Sequence, residues 1–347
     1  MCGPSRMGGY EMRSLHLGLW CALSIVSLSA CSGGTDSATP AESNSPATAS
    51  QPTAPVAISG RILFTRAGGE FLDETIFMAE ADGTGERKLT DPGYACCPRL
   101  SPDGSRVLLM TVDQPQGQPL TGATLVLGRA DVERLTLKDP TLNLVPQAWS
   151  PDGMRIAFEG WDDADPSRTG VYTARFPDGG DLVRLTSTVG GHDMPGDWSP
   201  DGTQLVFYRA KPEPDWDIGG SLWLVNADGT NGRRIETPGV APSWWARWSP
   251  DGTKILFATG RTQADGAIWT VDADGTRLTR IFQDADGRFP ITPSWSPDGR
   301  LIMFGLDPSS DEFQHPANGI YVINADGTGL TLVIGGSDFK RRIEWSR

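Results

Sequence analysis

The chain has 347 residues, with 43 Asp and Glu against 30 Lys and Arg, for a net charge of −13. An acidic balance of this size excludes the phosphate-neutralising surface that nucleic-acid binding requires. The length suits one large repeat domain plus a leader segment better than two ordinary domains.

The first elements in chain order are targeting sequence. Arg13 precedes an apolar run from Leu15 to Val26 that is too short for a comfortable membrane span and that ends in Leu28-Ser29-Ala30-Cys31. This tetrapeptide resembles a bacterial lipobox, and the resemblance implies cleavage before Cys31, lipid attachment to that cysteine and an extracytoplasmic location on a bacterial membrane, in the periplasm, at the outer membrane or at the cell surface. Residues 1–30 are therefore expected to be a signal peptide, with 1–11 an over-extended start and Met7 or Met12 the initiator. From Cys31 to residue 57 the chain is Ser, Thr, Ala, Pro and Gly with almost no large apolar side chain, so it cannot bury enough surface to fold. As a flexible tether of about 26 residues it reaches roughly 30 Å.

From residue 58 to 347 one phrase repeats. It reads LSPDGSRVLLM from Leu100, WSPDGMRIAFE from Trp149, WSPDGTQLVFY from Trp198, WSPDGTKILFA from Trp248 and WSPDGRLIMFG from Trp295, and its prolines are 49, 49, 50 and 47 residues apart. A period of that size marks a propeller or a solenoid. Ser-Pro-Asp-Gly supplies a tight turn, with Pro presetting φ and Gly accepting a left-handed conformation, so one strand precedes it and another follows. A third strand follows in most units, as in Leu222–Val225 and Ile320–Ile323. Ala-Asp-Gly-Thr at 81–84, 227–230, 273–276 and 325–328 then turns into a short fourth strand. Four strands per unit make a propeller blade. Gly60-Arg61-Ile62 begins a second strand with no Trp-Ser-Pro before it, and Glu344-Trp345-Ser346 is a first strand with no Pro-Asp-Gly after it. The two fragments complete a sixth copy. The fold expected is therefore all-β, a six-bladed β-propeller of four-stranded blades whose ring is closed by the C-terminal strand joining the N-terminal three. The recurrent Trp149, Trp198, Trp248, Trp295 and Trp345 are expected in the core.

On these motifs, residues 58–347 resemble the TolB-like, WD40-like (PD40) six-bladed propeller repeat family, whose repeat carries Trp-Ser-Pro-Asp-Gly followed by Ile-x-Phe. Two departures stand out: Leu100 replaces the Trp in one copy, and the segment 123–137, with Ala130–Glu133, lacks the second Gly turn. The resemblance implies fold far more than function.

Removal of the signal and lipidation of Cys31 leave Cys96 and Cys97. Neighbouring Cα atoms sit ~3.8 Å apart, below the ~4.4–6.8 Å usual for a disulfide, so the pair is either a strained vicinal disulfide or two thiols. His192 and His315 alone follow the leader, and no Cys-His spacing typical of a metal site is present. Neither a metal nor a cofactor is expected. Asp272-Ala-Asp274-Gly and Asp284-Ala-Asp286-Gly begin like a calcium loop but lack its third acidic position and distal Glu.

The short turns fall on one face of the propeller and the long irregular connections on the other, where function is expected. Those connections carry Trp161-Asp162-Asp163, His192-Asp193, Asp215-Trp216-Asp217 and Trp244-Trp245. An indole beside carboxylates can stack on a sugar ring or a cation while the acids take hydroxyls or charge. The reading is a membrane-anchored binding or scaffolding propeller without catalysis of its own, recognising a protein, glycan or peptide of the cell envelope through the long-loop face. The alternative is a carbohydrate-active lyase or glycosidase with carboxylates at the central channel. No Gly-x-Ser-x-Gly elbow occurs.

Overall fold

The computed structural model describes residues 58–67, 74–91, 95–111, 121–129, 131–188, 191–210, 220–242, 245–259, 266–307, 319–336 and 338–346. They form six four-stranded antiparallel sheets. With strands lettered A to D outward, blade 1 takes A from Phe339–Ser346 and B to D from Arg61–Ala67, Glu74–Glu80 and Arg87–Lys88. Blades 2 to 6 have their A strands at Ala95–Leu100, Asn143–Trp149, Asp193–Trp198, Arg247–Trp248 and Phe289–Trp295. Each A strand packs against the A strands of both neighbouring blades, and the last closes on the first, which puts the A strands around a central channel.

The Ser-Pro-Asp-Gly turns satisfy themselves. In blade 4, Ser199 Oγ donates to Asp201 Oδ1 at 2.6 Å while Asp201 accepts the Thr203 N–H at 3.0 Å and Ser199 Oγ accepts the Gln204 N–H at 2.9 Å. Asp103, Asp152, Asp251 and Asp298 repeat this, and the Ser hydroxyl holds each carboxyl below its ordinary range. The turn glycines have φ of 69–73°, which only glycine adopts cheaply.

The apolar residues that follow each turn fill the space between blades. Phe64, Phe158, Phe207, Phe257 and Phe304 occupy one repeat position in the B strands and are all essentially inaccessible, each contributing about 2–3 kcal/mol by burial. Leu109 takes that place in blade 2. Blade 1 packs on blade 2 through Leu63, Ile76 and Met78 against Leu100, Val107 and Leu109. Trp149, Trp198, Trp248, Trp295 and Trp345 are buried as expected, at 4–7% exposure.

Ring closure follows the expected pairing. Arg61 opposes Ser346, Ile62 opposes Trp345 and Leu63 opposes Glu344. Trp345 Nε1 donates to the Ser59 carbonyl at 2.8 Å. Gly60, with φ of 101°, is required at this seam, because a Cβ there would lie 2.4 Å from the Ser346 carbonyl oxygen. One expectation is corrected. Blade 2 keeps a C–D turn, with Gly128 at φ 90° between strands Gly122–Val126 and Asp131–Arg134. The missing Asp-Gly signature hides a turn made by a glycine two residues earlier than Ala130.

Candidate functional site

Two positions recur in the A strands around the channel, and most blades place polar or charged residues there. The residue just before the repeat Trp, or before Leu100, forms a collar near the short-turn face: Glu344, Arg99, Ala148, Asp197, Arg247 and Ser294 in blades 1 to 6. The order is acid, arginine, small residue, then acid, arginine, small residue, so blades 1–3 and 4–6 repeat one another across the axis. In the first half the pair closes. Arg99 Nη1 donates to Glu344 Oε2 at 3.3 Å, Glu344 Oε1 accepts the Leu100 N–H at 3.0 Å, and Arg99 Nε donates to the Gln147 carbonyl at 2.8 Å. In the second half the acid is one methylene shorter. Asp197 accepts the main-chain N–H of Trp198 at 2.9 Å and of Trp248 at 3.2 Å, and no ion pair with Arg247 forms among the described residues. Arg247 instead donates to the Gly196 carbonyl at 3.4 Å and stands 3.8 Å from Glu344. Since blade 6 separates blades 5 and 1, that approach is made across the lumen and narrows it.

Charge in this collar is held against desolvation. Burial raises the Asp197 carboxyl to about 6, offset by Arg247 and Arg99. Burial, reinforced by the Arg247 charge, lowers Arg99 to about 10. Asp197 is nonetheless partly accessible. A carboxylate deep among protein atoms that still has accessible surface must line the lumen.

Two residues further from the turn lies a second tier. Cys97, Trp245, Thr292 and Arg342 occupy the same repeat position in blades 2, 5, 6 and 1, and all have left-handed φ, of 61°, 65°, 46° and 56°. Blades 3 and 4 place Pro146 and Pro195 there. Pairing shifts register beside this position in every blade but the fifth, whose A strand begins two residues later. These are β-bulges of the sort that re-aim side chains at the mouth of a site. Each non-glycine residue in this region costs of order 1–3 kcal/mol. The Arg342 guanidinium lies 4.9 Å from the centre of the Trp245 ring, again across the lumen, and its Nε is 3.8 Å from Glu74 Oε2. Burial raises the Glu74 carboxyl, with Arg342 opposing it.

At the long-loop end the sequence candidates separate. Glu159, His192 and Asp193 gather where blade 3 meets blade 4, while Trp161 stands opposite Asn143 within blade 3. His192 Nδ1 is 3.2 Å from Glu159 Oε1, and the His192 carbonyl accepts the Ala210 N–H at 2.8 Å. Burial raises the Glu159 carboxyl, with His192 opposing. Asp193 is fully buried; Arg209 Nε and Nη2 each donate to it at 2.6 Å, and Thr186 Oγ1 also donates at 2.6 Å. Asp162 caps the next turn through the Ala164 N–H at 2.8 Å and pairs with Arg168 at 2.7 Å. Its neighbour Asp163 is exposed, and Trp161 and His192 are half-buried. Trp245 belongs to the second tier rather than to an outer loop. Asp215, Trp216, Asp217 and Trp244 lie outside the described residues, as does Cys31. Cys97 is half-buried and Cys96 stands in the same A strand, its side chain outside the description.

The weighed calcium positions are occupied by cations of the chain itself. Asp272 is paired with Lys254 at 2.7 Å and with Arg277, and Asp284 with Arg288 at 2.6 Å. Among the described residues no group of three or more His, Cys, Asp and Glu converges on one point. A groove of about 330 Å³ runs along Arg280–Ala285, but six consecutive residues of one outer strand and its turn bring no groups together from different blades. Sequence reasoning missed Arg99, Asp197, Arg247 and Glu344, and also Glu159 and Arg342. For the first four the signal was present in the residue just before the repeat Trp or Leu100, where charge has no reason to sit in a buried strand unless it lines something.

No family model matches the sequence, and no curated protein matches it. Among solved structures the chain is similar to TolB from Acinetobacter baumannii, at 17% identity and TM-score 0.63 over 83% of this chain and 67% of that one. A chain of a nidogen–laminin complex matches at 12% identity and TM-score 0.58, over 83% and 98%. Oligogalacturonate lyase from Vibrio parahaemolyticus matches at 15% identity and TM-score 0.53, over 76% and 71%. Likeness at these identities establishes a shared six-bladed propeller fold.

Proposed function

We propose that this chain is a lipid-anchored extracytoplasmic propeller that binds a ligand of the cell envelope through its long-loop face and carries out no chemistry on it. The observation that carries this reading is the contrast between the two ends of the channel. The short-turn carboxylates are consumed by their own turns, and the collar narrows the lumen just above them. Toward the other end, side chains from different blades converge: Arg342 with Trp245, and Glu159 with His192. TolB and the nidogen–laminin chain lend support as propellers of the same fold. The lipobox-like Leu28-Ser29-Ala30-Cys31 supports the anchor, and a tether reaching roughly 30 Å would let the propeller stand clear of the bilayer. Capture of envelope components by the tethered protein, with and without Trp161→Ala, tests the reading; equal capture by both removes the long-loop face from it.

A second reading, an enzyme acting on carbohydrate, has one observation in its favour. Glu159 is a buried carboxyl with raised proton affinity beside a histidine, an arrangement able to hold and pass a proton. Time courses on oligosaccharides decide it: turnover abolished by Glu159→Gln supports an enzyme, and no product from any substrate removes it.

A further inference from the structure

The bulge in the A strand of blade 2 presents a nucleophile that ligand binding leaves unused. Pairing with the B strand shifts between Cys96 and Arg99, and Cys97, inside that break, takes φ of 61°. A side chain other than glycine is strained there, and such strain persists where the surroundings enforce it. The result places Cys97 in the tier that Arg342 and Trp245 share, half-buried where the strand's Leu100 is sealed in the core.

Two neighbours act on that thiol. Glu74 is 4% exposed, and its Oε2 has no hydrogen-bond partner among the described residues; Arg342 Nε stands off at 3.8 Å. An acceptor buried so deeply and left unbonded is costly, and such atoms mark places where another group is received. Burial raises the Glu74 carboxyl, Arg342 opposes, and a charge on Cys97 raises it further. A carboxyl and a thiol so coupled hold one proton between them more readily than both ionise. Arg99, two residues along the strand, attracts a charged Cys97, which favours the thiolate.

Cys96 supplies the second sulfur by its place in the chain. Adjacent cysteines join only in a strained ring, because neighbouring Cα atoms sit ~3.8 Å apart against the ~4.4–6.8 Å usual for a disulfide. Strain makes such a bond easy to reduce, so it suits exchange better than it suits a permanent staple.

We propose that Cys97 is a nucleophilic thiol which, with Glu74 and Cys96, forms a thiol–disulfide exchange site in the channel wall. Glu74 takes the Cys97 proton. The Cys97 sulfur attacks one sulfur of an incoming disulfide, whose S–S bond breaks, and the departing thiolate takes the proton from Glu74. Cys96 then loses its proton to solvent and attacks the Cys97 sulfur of the mixed disulfide, expelling a second thiolate that is protonated by solvent. Two cysteine thiols are oxidised and one disulfide is reduced to two thiols; in reverse, the strained ring oxidises a dithiol. The site goes beyond the binding reading and does not rest on it.

The test adds oxidised glutathione to the reduced full chain in detergent and follows the tryptic peptide Leu89–Arg99, which carries both cysteines, by mass. In the wild type this peptide should lose two hydrogens, and reduced glutathione should restore them. Cys96→Ser should stop at a glutathione adduct on Cys97, formed about tenfold or more faster than glutathione's own thiol exchanges at the same pH. Cys97→Ser should react about tenfold or more slowly, and Glu74→Gln should remove the rate excess and alter its pH profile. Comparison of the native wild type with the same chain in urea needs no variant, and the native chain should react faster. Slower reaction in the native chain, or a ring that reduced glutathione does not open, overturns the proposal. An unchanged rate and pH profile in Glu74→Gln removes Glu74 from the site and overturns it as stated.

Discussion

Glu344 and Arg99 meet at 3.3 Å across the seam that closes the ring, with one of Glu344's oxygens on the guanidinium and the other on the Leu100 N–H. One side chain of the last strand therefore holds the ring to blade 2 and, through Arg247, leans on blade 5.

Glu344→Ala should be strongly destabilising, because it leaves Arg99 and Arg247 buried without their shared acid. Removing one partner of a buried pair costs about 3–5 kcal/mol. Glu344→Gln keeps an acceptor for Leu100 and should lose less. Urea unfolding of both variants measures this, and equal midpoints for Ala and wild type would show that the seam is held by packing alone.

Trp345→Ala should destabilise by about 3–5 kcal/mol as a buried indole replaced by a void, and it also strands the Ser59 carbonyl. Deleting residues 340–347 should prevent the ring from closing. A loop-face change such as Asp163→Ala, at an exposed position, should stay within ~0.5 kcal/mol of wild type.

Asp197 sets a pH dependence of defined sign. Its carboxyl is raised to about 6 in the folded protein from 3.8, so the folded state keeps a proton that the unfolded state has released. The stability this provides is present below about pH 4 and is lost as pH rises to about 6, amounting to roughly 2–3 kcal/mol. The difference in stability between wild type and Asp197→Asn should therefore shift in favour of the variant across that interval. A difference that does not vary between pH 4 and 7 would mean that Asp197 is not desolvated.

Cys31→Ser should release the protein from the membrane fraction, since the proposed anchor is the lipid on that cysteine. Detergent-phase partitioning of the two forms is the measurement, and retention of the serine form would remove the anchor from the functional reading.

Trp161→Ala should weaken ligand binding by about 1–3 kcal/mol with the fold intact. Asp251→Ala should act the other way round, on stability and not on binding, because Asp251 accepts from Ser249 and Thr253 within its own turn. Melting temperatures and affinities measured on both variants separate the two faces.

What the sequence determined by itself was everything that repeats. Five Ser-Pro-Asp-Gly turns at a near-constant period dictate strands on either side, and Trp345 without a following turn dictates closure with Arg61–Ala67. Periodic burial writes itself into a chain because every copy faces the same environment. Gly128 shows the limit: a turn needs one residue that tolerates positive φ, and the motif around it can change. The candidate residues were legible only as a list: His192 and Trp161 are half-buried, with His192 beside Glu159, whereas Asp162 and Asp193 are bound up by Arg168 and Arg209. The tertiary structure alone decided the collar. Arg99, Asp197, Arg247 and Glu344 are dozens to hundreds of residues apart and come together only because six blades turn one edge toward a common axis. Whether a charge finds its partner there depends on a methylene, a distance that no sequence pattern records.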